Sequence, residues 1–268
     1  MSPEQVVQHY EMGGFDFIAI TDHHHRTDLS ELSGPEFLVL PGIEVNSAKD
    51  SMPYGTGFHI TGINVATGIE RRPDWTGQGL VDAILDAGGL PIVAHPYWSG
   101  LTHAEIASLQ GLLGLEVYNT TTESAIGKGH ASVVWDDLLC RGNHLLGMAV
   151  DDSHRPGFDS LRGWVTVRAP ELTAGAITAA LRGGYFYASN GPQLHDVRWE
   201  PADAKGGAAG SVRVRCSQVR TVGLMADIKL GARVSSGAVE RAANARRLRP
   251  DGLPEGVTAG SLLTGAEF

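Results

Sequence analysis

The chain has 268 residues, a formal charge of −9 at pH 7 and an apolar fraction of 42%, enough for one large core or one core with a small satellite. Its acidity argues against a general affinity for nucleic-acid phosphates, and no apolar run approaches the roughly 18 residues of a membrane helix. The two cysteines, Cys140 and Cys216, show neither zinc-ribbon nor redox spacing, and no charged-then-apolar leader pattern opens the chain, so the expectation is a cytoplasmic protein without disulfides.

Ser2-Pro3-Glu4-Gln5 predicts a helix start, with a hydroxyl N-cap, proline in the first turn and a side chain at N3 able to reach back. Gly13-Gly14 stops that helix. Phe17 to Ile20 then reads as a strand that breaks off into Thr21-Asp22-His23, so burial gives way to metal-ligand chemistry within a few residues. The same grammar recurs. Phe37 to Leu40 is a strand closed by Pro41-Gly42-Ile43-Glu44, Phe58 to Val65 carries His59, and Leu90 to His95 is halted by Pro96. Leu115 to Asn119 and Leu145 to Val150 follow, the latter ending in Asp151-Asp152-Ser153-His154, and Gly163 to Val167 closes the set.

Helical patterns lie between these runs, at Gly79 to Ala87, from Thr102 to Leu109, at Ala131 to Cys140 and at Thr173 to Leu181. Strands alternating with helices predict parallel pairing, and a count near seven fits a distorted (β/α)7 barrel, with its chemistry where strands terminate. After Gly184 the texture changes. Ser211 to Val219, and then Val222 to Leu230, alternate apolar and polar residues as half-buried strands do, whereas 206 to 210 and 239 to 260 read as loops. The predicted division is a barrel over 1–190 and a small β-rich domain, a partial β-sandwich, over 191–268.

A single histidine at a strand end is more often a structural hydrogen-bonding group than a ligand. Here His23, Glu44, His59, His95, Asp152 and His154 all fall at or near the ends of predicted strands, five strands in all, and a metal site explains them together. Oxygen and nitrogen donors without thiolate suit Mn, Fe or Zn. Asp22 is expected to orient the His23 imidazole, and His24 and His25 to be solvated. Glu116 and Asn119 sit at a strand end facing the same mouth, where a pocket role and plain hydrogen bonding are both open. Arg155 beside His154 and Arg26 just past His23 are candidate phosphate clamps, because guanidinium binds two oxygens at once; Lys128 is a weaker one.

Ile20-Thr21-Asp22-His23, Pro41-Gly42-Ile43-Glu44, His59, Ala94-His95-Pro96, Glu116-Val117-Tyr118-Asn119 and Asp152-Ser153-His154, in that order, resemble the PHP superfamily, the polymerase and histidinol phosphatase domain. The run from Ala180 to Pro192, with Gly163-Trp164, resembles its carbaryl-hydrolase-like branch, whose barrel is followed by a β-sandwich. The resemblance implies a seven-stranded barrel holding up to three metals and cleaving phosphoesters. Its ligands would be His23, Glu44, His59, His95, Asp152 and His154, with Glu44 bridging two metals and Glu44, His23 and Asp152 at the catalytic centre. On that reading Arg155 and Arg26, the clamps suggested by their own chemistry, and Asn119 are expected to meet the substrate.

The family's His-x-His strand and following Asp are missing ahead of Ser2, and Leu263 to Phe268 resembles the approach to a strand that relatives continue through. The expectation is therefore a piece of a longer protein, lacking the barrel's first strand and holding fewer metals, in which the Glu44, His59 and His95 group survives. Three functions remain: hydrolysis of a small-molecule phosphoester by metal-activated water, amide or carbamate-ester hydrolysis on the same site, and a non-catalytic metal-binding domain.

Overall fold

The computed structural model describes residues 1–47, 57–70, 72, 74–201, 210–227, 230–236 and 263–267. It divides into two compact units, Met1–Asn190 and Gly191–Phe268. The loops expected over 206–209 and 239–260, and the strand position Ile228, lie outside the described residues.

The first unit opens with α1 (Pro3–Met12), capped as its sequence requires: the Ser2 hydroxyl accepts from the Gln5 amide and the Gln5 side chain reaches back to the Ser2 amide. Strands β1 (Phe17–Ile20), β2 (Leu38–Asn46), β3 (His59–Ile63), β4 (Leu90–Val93), β5 (Gly114–Asn119) and β6 (Leu146–Val150) form one sheet in sequence order. Helices α2 (Gly77–Asp86), α3 (Pro96–Ser99), α4 (His103–Ala107), α5 (Thr120–Ile126) and α6 (Ser132–Cys140) lie between them in the chain. Strands β7 (Trp164–Val167) and β8 (Phe186–Ser189) make a separate antiparallel pair flanking α7 (Ala174–Arg182).

The pairing is mixed, not wholly parallel. β1 with β2, β4 with β5 and β5 with β6 are parallel, but β3 runs antiparallel to both β2 and β4. No helix is described between β2 and β3, and a parallel neighbour needs a crossover connection that usually contains one. Pro41-Gly42 does not close β2, as its sequence suggested. The strand runs through this pair to Asn46, changing partner there from β1 to β3. A Cβ on Gly42 would stand 2.6 Å from the Ile20 carbonyl oxygen and 2.9 Å from that of Gly62, so only glycine lets the three strands approach.

Alternation gives the sheet two faces. Ile43, Val45, Ile60, Val93 and Leu115 pack outward against Leu80, Val81 and Ile84 of α2 and Leu138 of α6, while Val7 and Tyr10 of α1 cover Ile18 and Val39. The inner face carries Leu40, Leu90, Ile92 and Met148, with Phe17, Ala19, Leu38 and Ile63 beside them. Further along the same strands the inward positions become Glu44, Asn46, His59 and Glu116, so an apolar floor passes into a polar mouth.

The sheet is curled. Six strands laid flat would put β1 and β6 about 24 Å apart. Yet His23, just past β1, and His154, just past β6, bring their Nε2 atoms within 3.4 Å.

In the second unit β9 (Leu194–Glu200), β10 (Ser211–Val219) and β13 (Leu263–Glu267) form an antiparallel sheet, and β11 (Thr221–Asp227) pairs with β12 (Leu230–Ser235). Val234, Leu263 and Ala266 make its small core, with Val219 and Val222 against them. No helix among the described residues is long and apolar enough to cross a membrane.

Candidate metal centre

Glu44 is the focus of the polar mouth. It is 4% exposed, and its Oε1 lies 2.8 Å from His59 Nδ1, 3.6 Å from His23 Nδ1 and 3.8 Å from His95 Nε2. Three histidines from separate segments therefore converge on one carboxylate oxygen. Glu44, His59 and His95 form a buried group whose donor atoms all fall within 4.8 Å of one another.

Backbone geometry delivers these side chains. His23 and Glu44 extend the parallel β1–β2 pairing by one bridge: the Glu44 amide donates to the Asp22 carbonyl, and the His24 amide donates to the Glu44 carbonyl. His95 follows β4 at φ 25°, and Asp152 follows β6 at φ 52°, both in the left-handed region that disfavours side-chain-bearing residues. Two candidate ligands with strained backbones mark a place where the fold sacrifices local stability for side-chain direction. Trp98 of α3 closes one side, its ring edge-on to His95 at 4.9 Å and to His59 at 5.9 Å between centroids.

A second group stands at the rim. His154 Nδ1 lies 2.8 Å from the Asp152 carbonyl oxygen; donating its proton there leaves the Nε2 lone pair directed toward His23. Both imidazoles are about half exposed, at 52% for His23 and 51% for His154. Asp152 Oδ2 accepts from Asn119 Nδ2 at 3.1 Å.

The titration pattern is that of a site short of positive charge. Burial pushes the Glu44 carboxyl up, but hydrogen bonds and charge from His59 and His95 outweigh it and leave it below the ordinary carboxylate range. Burial pulls His95 down, and the surrounding acids Glu44, Glu116 and Asp152 more than reverse this, to about 9. Asp152 is raised, by burial first and the charge of Glu44 second, and burial together with the charge of Asp152 pushes Glu116 up to about 7 despite His95. A divalent cation would draw His95, Glu116 and Asp152 back down and hold Glu44 ionised. One carboxylate oxygen and two imidazole nitrogens, with no thiolate, form a donor set that fits Mn, Fe or Zn.

Of the nine residues expected at the site, the six candidate ligands fall into these two adjoining groups. The other three separate. Asn119 is fully buried; its Nδ2 donates to Glu116 and Asp152, and its Oδ1 accepts from the Thr122 amide, so no atom remains for a substrate and it braces the site from behind. Arg26 is turned away, with Nε on the Val65 carbonyl and a terminal nitrogen on Asp28. Arg155 is exposed on the His154 loop, its guanidinium carbon 4.9 Å from the centre of the Phe158 ring.

Two other expectations change. Asp22 accepts from the Thr27 hydroxyl and does not orient His23, and His24 is half-buried. Residues that the sequence reading passed over also matter. Asp159, wholly buried, accepts from the Ser153 hydroxyl and from the His154 and Arg155 amides, fixing the loop that presents His154. Asp151 accepts from the Tyr10 and Thr120 hydroxyls and from the Leu161, Arg162 and Gly163 amides. Asp151 directly follows the apolar run of β6 and Asp159 lies in the loop beyond it, and neither position gives a sign of which acid faces the mouth.

No protein-family model and no curated protein matches this chain. Solved structures do. A two-domain protein from Bacteroides vulgatus containing a predicted PHP-like metal-dependent phosphoesterase aligns over 83% of this chain and 75% of its own, at 15% identity and a TM-score of 0.50. An amidohydrolase from Chromobacterium violaceum aligns over 77% of this chain and 95% of its own, at 17% identity and a TM-score of 0.46. The lesion-specific endonuclease PfuEndoQ from Pyrococcus furiosus aligns over 70% and 53%, at 16% identity and a TM-score of 0.46. At such identities the likeness is one of fold, and the fold is that of the PHP-like Bacteroides protein.

Proposed function

We propose that this chain is a metal-dependent hydrolase of the PHP type acting on a small-molecule phosphoester. The observation that carries the reading is the meeting of His23, His59 and His95 on Glu44 Oε1 inside a polar mouth lined by acids. Glu44, His59 and His95 would hold one ion, and His23, Asp152 and His154 would serve a second position at the rim. A bound divalent ion supplies a water that ionises near neutral pH and positive charge for the oxygens of the ester.

The chain's own residues do the rest. Trp98 keeps water from one side of the two buried imidazoles, Asn119 holds the Asp152 carboxylate in place, and the Asp152 carbonyl fixes the His154 ring. Arg155, exposed beside the rim, is the remaining arginine for an anionic substrate.

A second reading, amide or carbamate-ester hydrolysis, is favoured by Arg26, whose guanidinium is spent on Val65 and Asp28 and leaves the mouth with less positive charge for a phosphate. The test begins with protein stripped by chelator and dialysed against Mn, Zn or Fe. Bound ion is then quantified and turnover measured on nitrophenyl phosphate and a nitrophenyl carbamate. Phosphate turnover supports the first reading and carbamate turnover alone the second. Ion without turnover supports a metal-binding role, and failure to retain any ion overturns the metal centre.

A further inference from the structure

We infer that Asn46 supplies an additional oxygen donor to the cation held by Glu44, His59 and His95, an inference that rests on the metal-centre reading above. Asn46 is the last residue of β2, two positions beyond Glu44, so strand alternation puts both on the inner face. In the antiparallel register with β3 its direct cross-strand partner is His59. Neighbouring inward side chains in such a pair stand within contact distance.

Its Oδ1 is sealed from solvent and has no hydrogen-bond partner. A buried acceptor left unpaired is uncommon and unfavourable, and it calls for an occupant. The hydrogen bonds described in the site are made elsewhere. His59 Nδ1 is engaged by Glu44, His95 Nδ1 by Ser99, the His95 amide by Glu116, and the Asn119 amide by Glu116 and Asp152. None of these bonds reaches Asn46 Oδ1. A cation at the Glu44, His59 and His95 group satisfies the oxygen directly, since the amide carbonyl of asparagine is an ordinary ligand for hard divalent ions. It adds an oxygen without adding charge to a site already rich in acids, and it tilts preference from Zn toward Mn.

The experiment titrates Mn into the chelator-stripped full chain by calorimetry, with Zn competition, for wild type, Asn46→Leu, Asn46→Asp and Glu44→Gln. Asn46→Leu is expected to bind Mn at least about tenfold more weakly, a loss of the size that outer-shell partners produce. Its metal-free melting temperature should not fall, because an unpaired polar atom is removed. Asn46→Asp presents oxygen whichever way the group is turned, and should bind Mn more tightly than wild type. Wild-type affinity in Asn46→Leu overturns the inference; should that variant not fold, Asn46→Asp binding no tighter than wild type does so. If wild type binds no Mn, or Glu44→Gln binds equally well, the metal centre itself falls, a different result from Asn46 alone proving idle.

Discussion

Glu44 and His59 meet at 2.8 Å although neither is the other's direct partner across the β2–β3 pair: Glu44 faces Thr61, and His59 faces Asn46. The imidazole leans diagonally onto the carboxylate. Replacing Glu44 by Gln keeps the shape and removes the charge that His23, His59 and His95 share. Bound divalent metal, measured by atomic emission after dialysis, should fall well below one ion per chain, and hydrolysis should be lost with it. Unchanged metal content would remove Glu44 from the centre.

Asn119 offers a test of bracing against substrate contact. Asn119→Ala takes the donor from Asp152 Oδ2, removes one of the two donors to Glu116 Oε2, which keeps the His95 amide, and strips α5 of its N-cap. Each loss is of the order of 1–2 kcal/mol. The melting temperature should fall clearly and metal affinity should weaken, while KM for substrate shifts little on its own. A variant as stable as wild type, with only KM raised, would restore Asn119 to the substrate.

The two arginines should part company. Arg26→Ala breaks bonds to Val65 and Asp28 within the fold and should lower the melting temperature with modest effect on KM at matched folding. Arg155→Ala touches an exposed side chain and should leave stability within about 0.5 kcal/mol while raising KM for an anionic ester. The reverse pattern would exchange their roles.

In metal-free protein, His95 is raised to about 9 from its ordinary 6.5, so its contribution to stability is complete below about pH 6.5 and is lost as pH climbs through 9. Glu116, raised to about 7 from 4.5, binds more protons folded than unfolded between those values, and stability falls with rising pH there also. Glu44 acts oppositely, but below its ordinary 4.5. The apo chain should therefore melt at progressively lower temperature from about pH 5 to pH 9, and saturating Mn at pH 8 should recover most of the loss. A flat apo profile over that range would contradict the charge-poor description of the site.

Features decided by neighbours in sequence were readable before any coordinates. Ser2-Pro3-Glu4-Gln5 announces its capping box because the bonds concerned span three residues. The apolar runs ending in His or acid were equally plain. Features decided by pairing across the chain were not. Pro41-Gly42 has the composition of a strand's end, and only the change of partner from β1 to β3 explains a strand passing through it. The antiparallel course of β3 is likewise a property of the sheet. From the sequence Asn119 is expected to face the mouth, with a pocket role and plain hydrogen bonding both open, and only its folded partners Glu116, Asp152 and Thr122, with a one-residue irregularity in the β5–β6 register just before it, separate the two. Asp159 belongs to the same class: nothing distinguishes it from a surface acid until Ser153, His154 and Arg155 are folded around it.

Among the described residues no strand ladder joins β1 to β6, and side chains bridge that side of the curled sheet, among them Tyr10 to Asp151, His9 to Ser160 and His23 to His154. Such a seam is the weakest line of the wall, and an ion gripping both of its lips would act as a clasp. Loading the centre and joining the two edges of the curled sheet would then be one event, so hydrogen exchange along this edge should report occupancy before any turnover is measured.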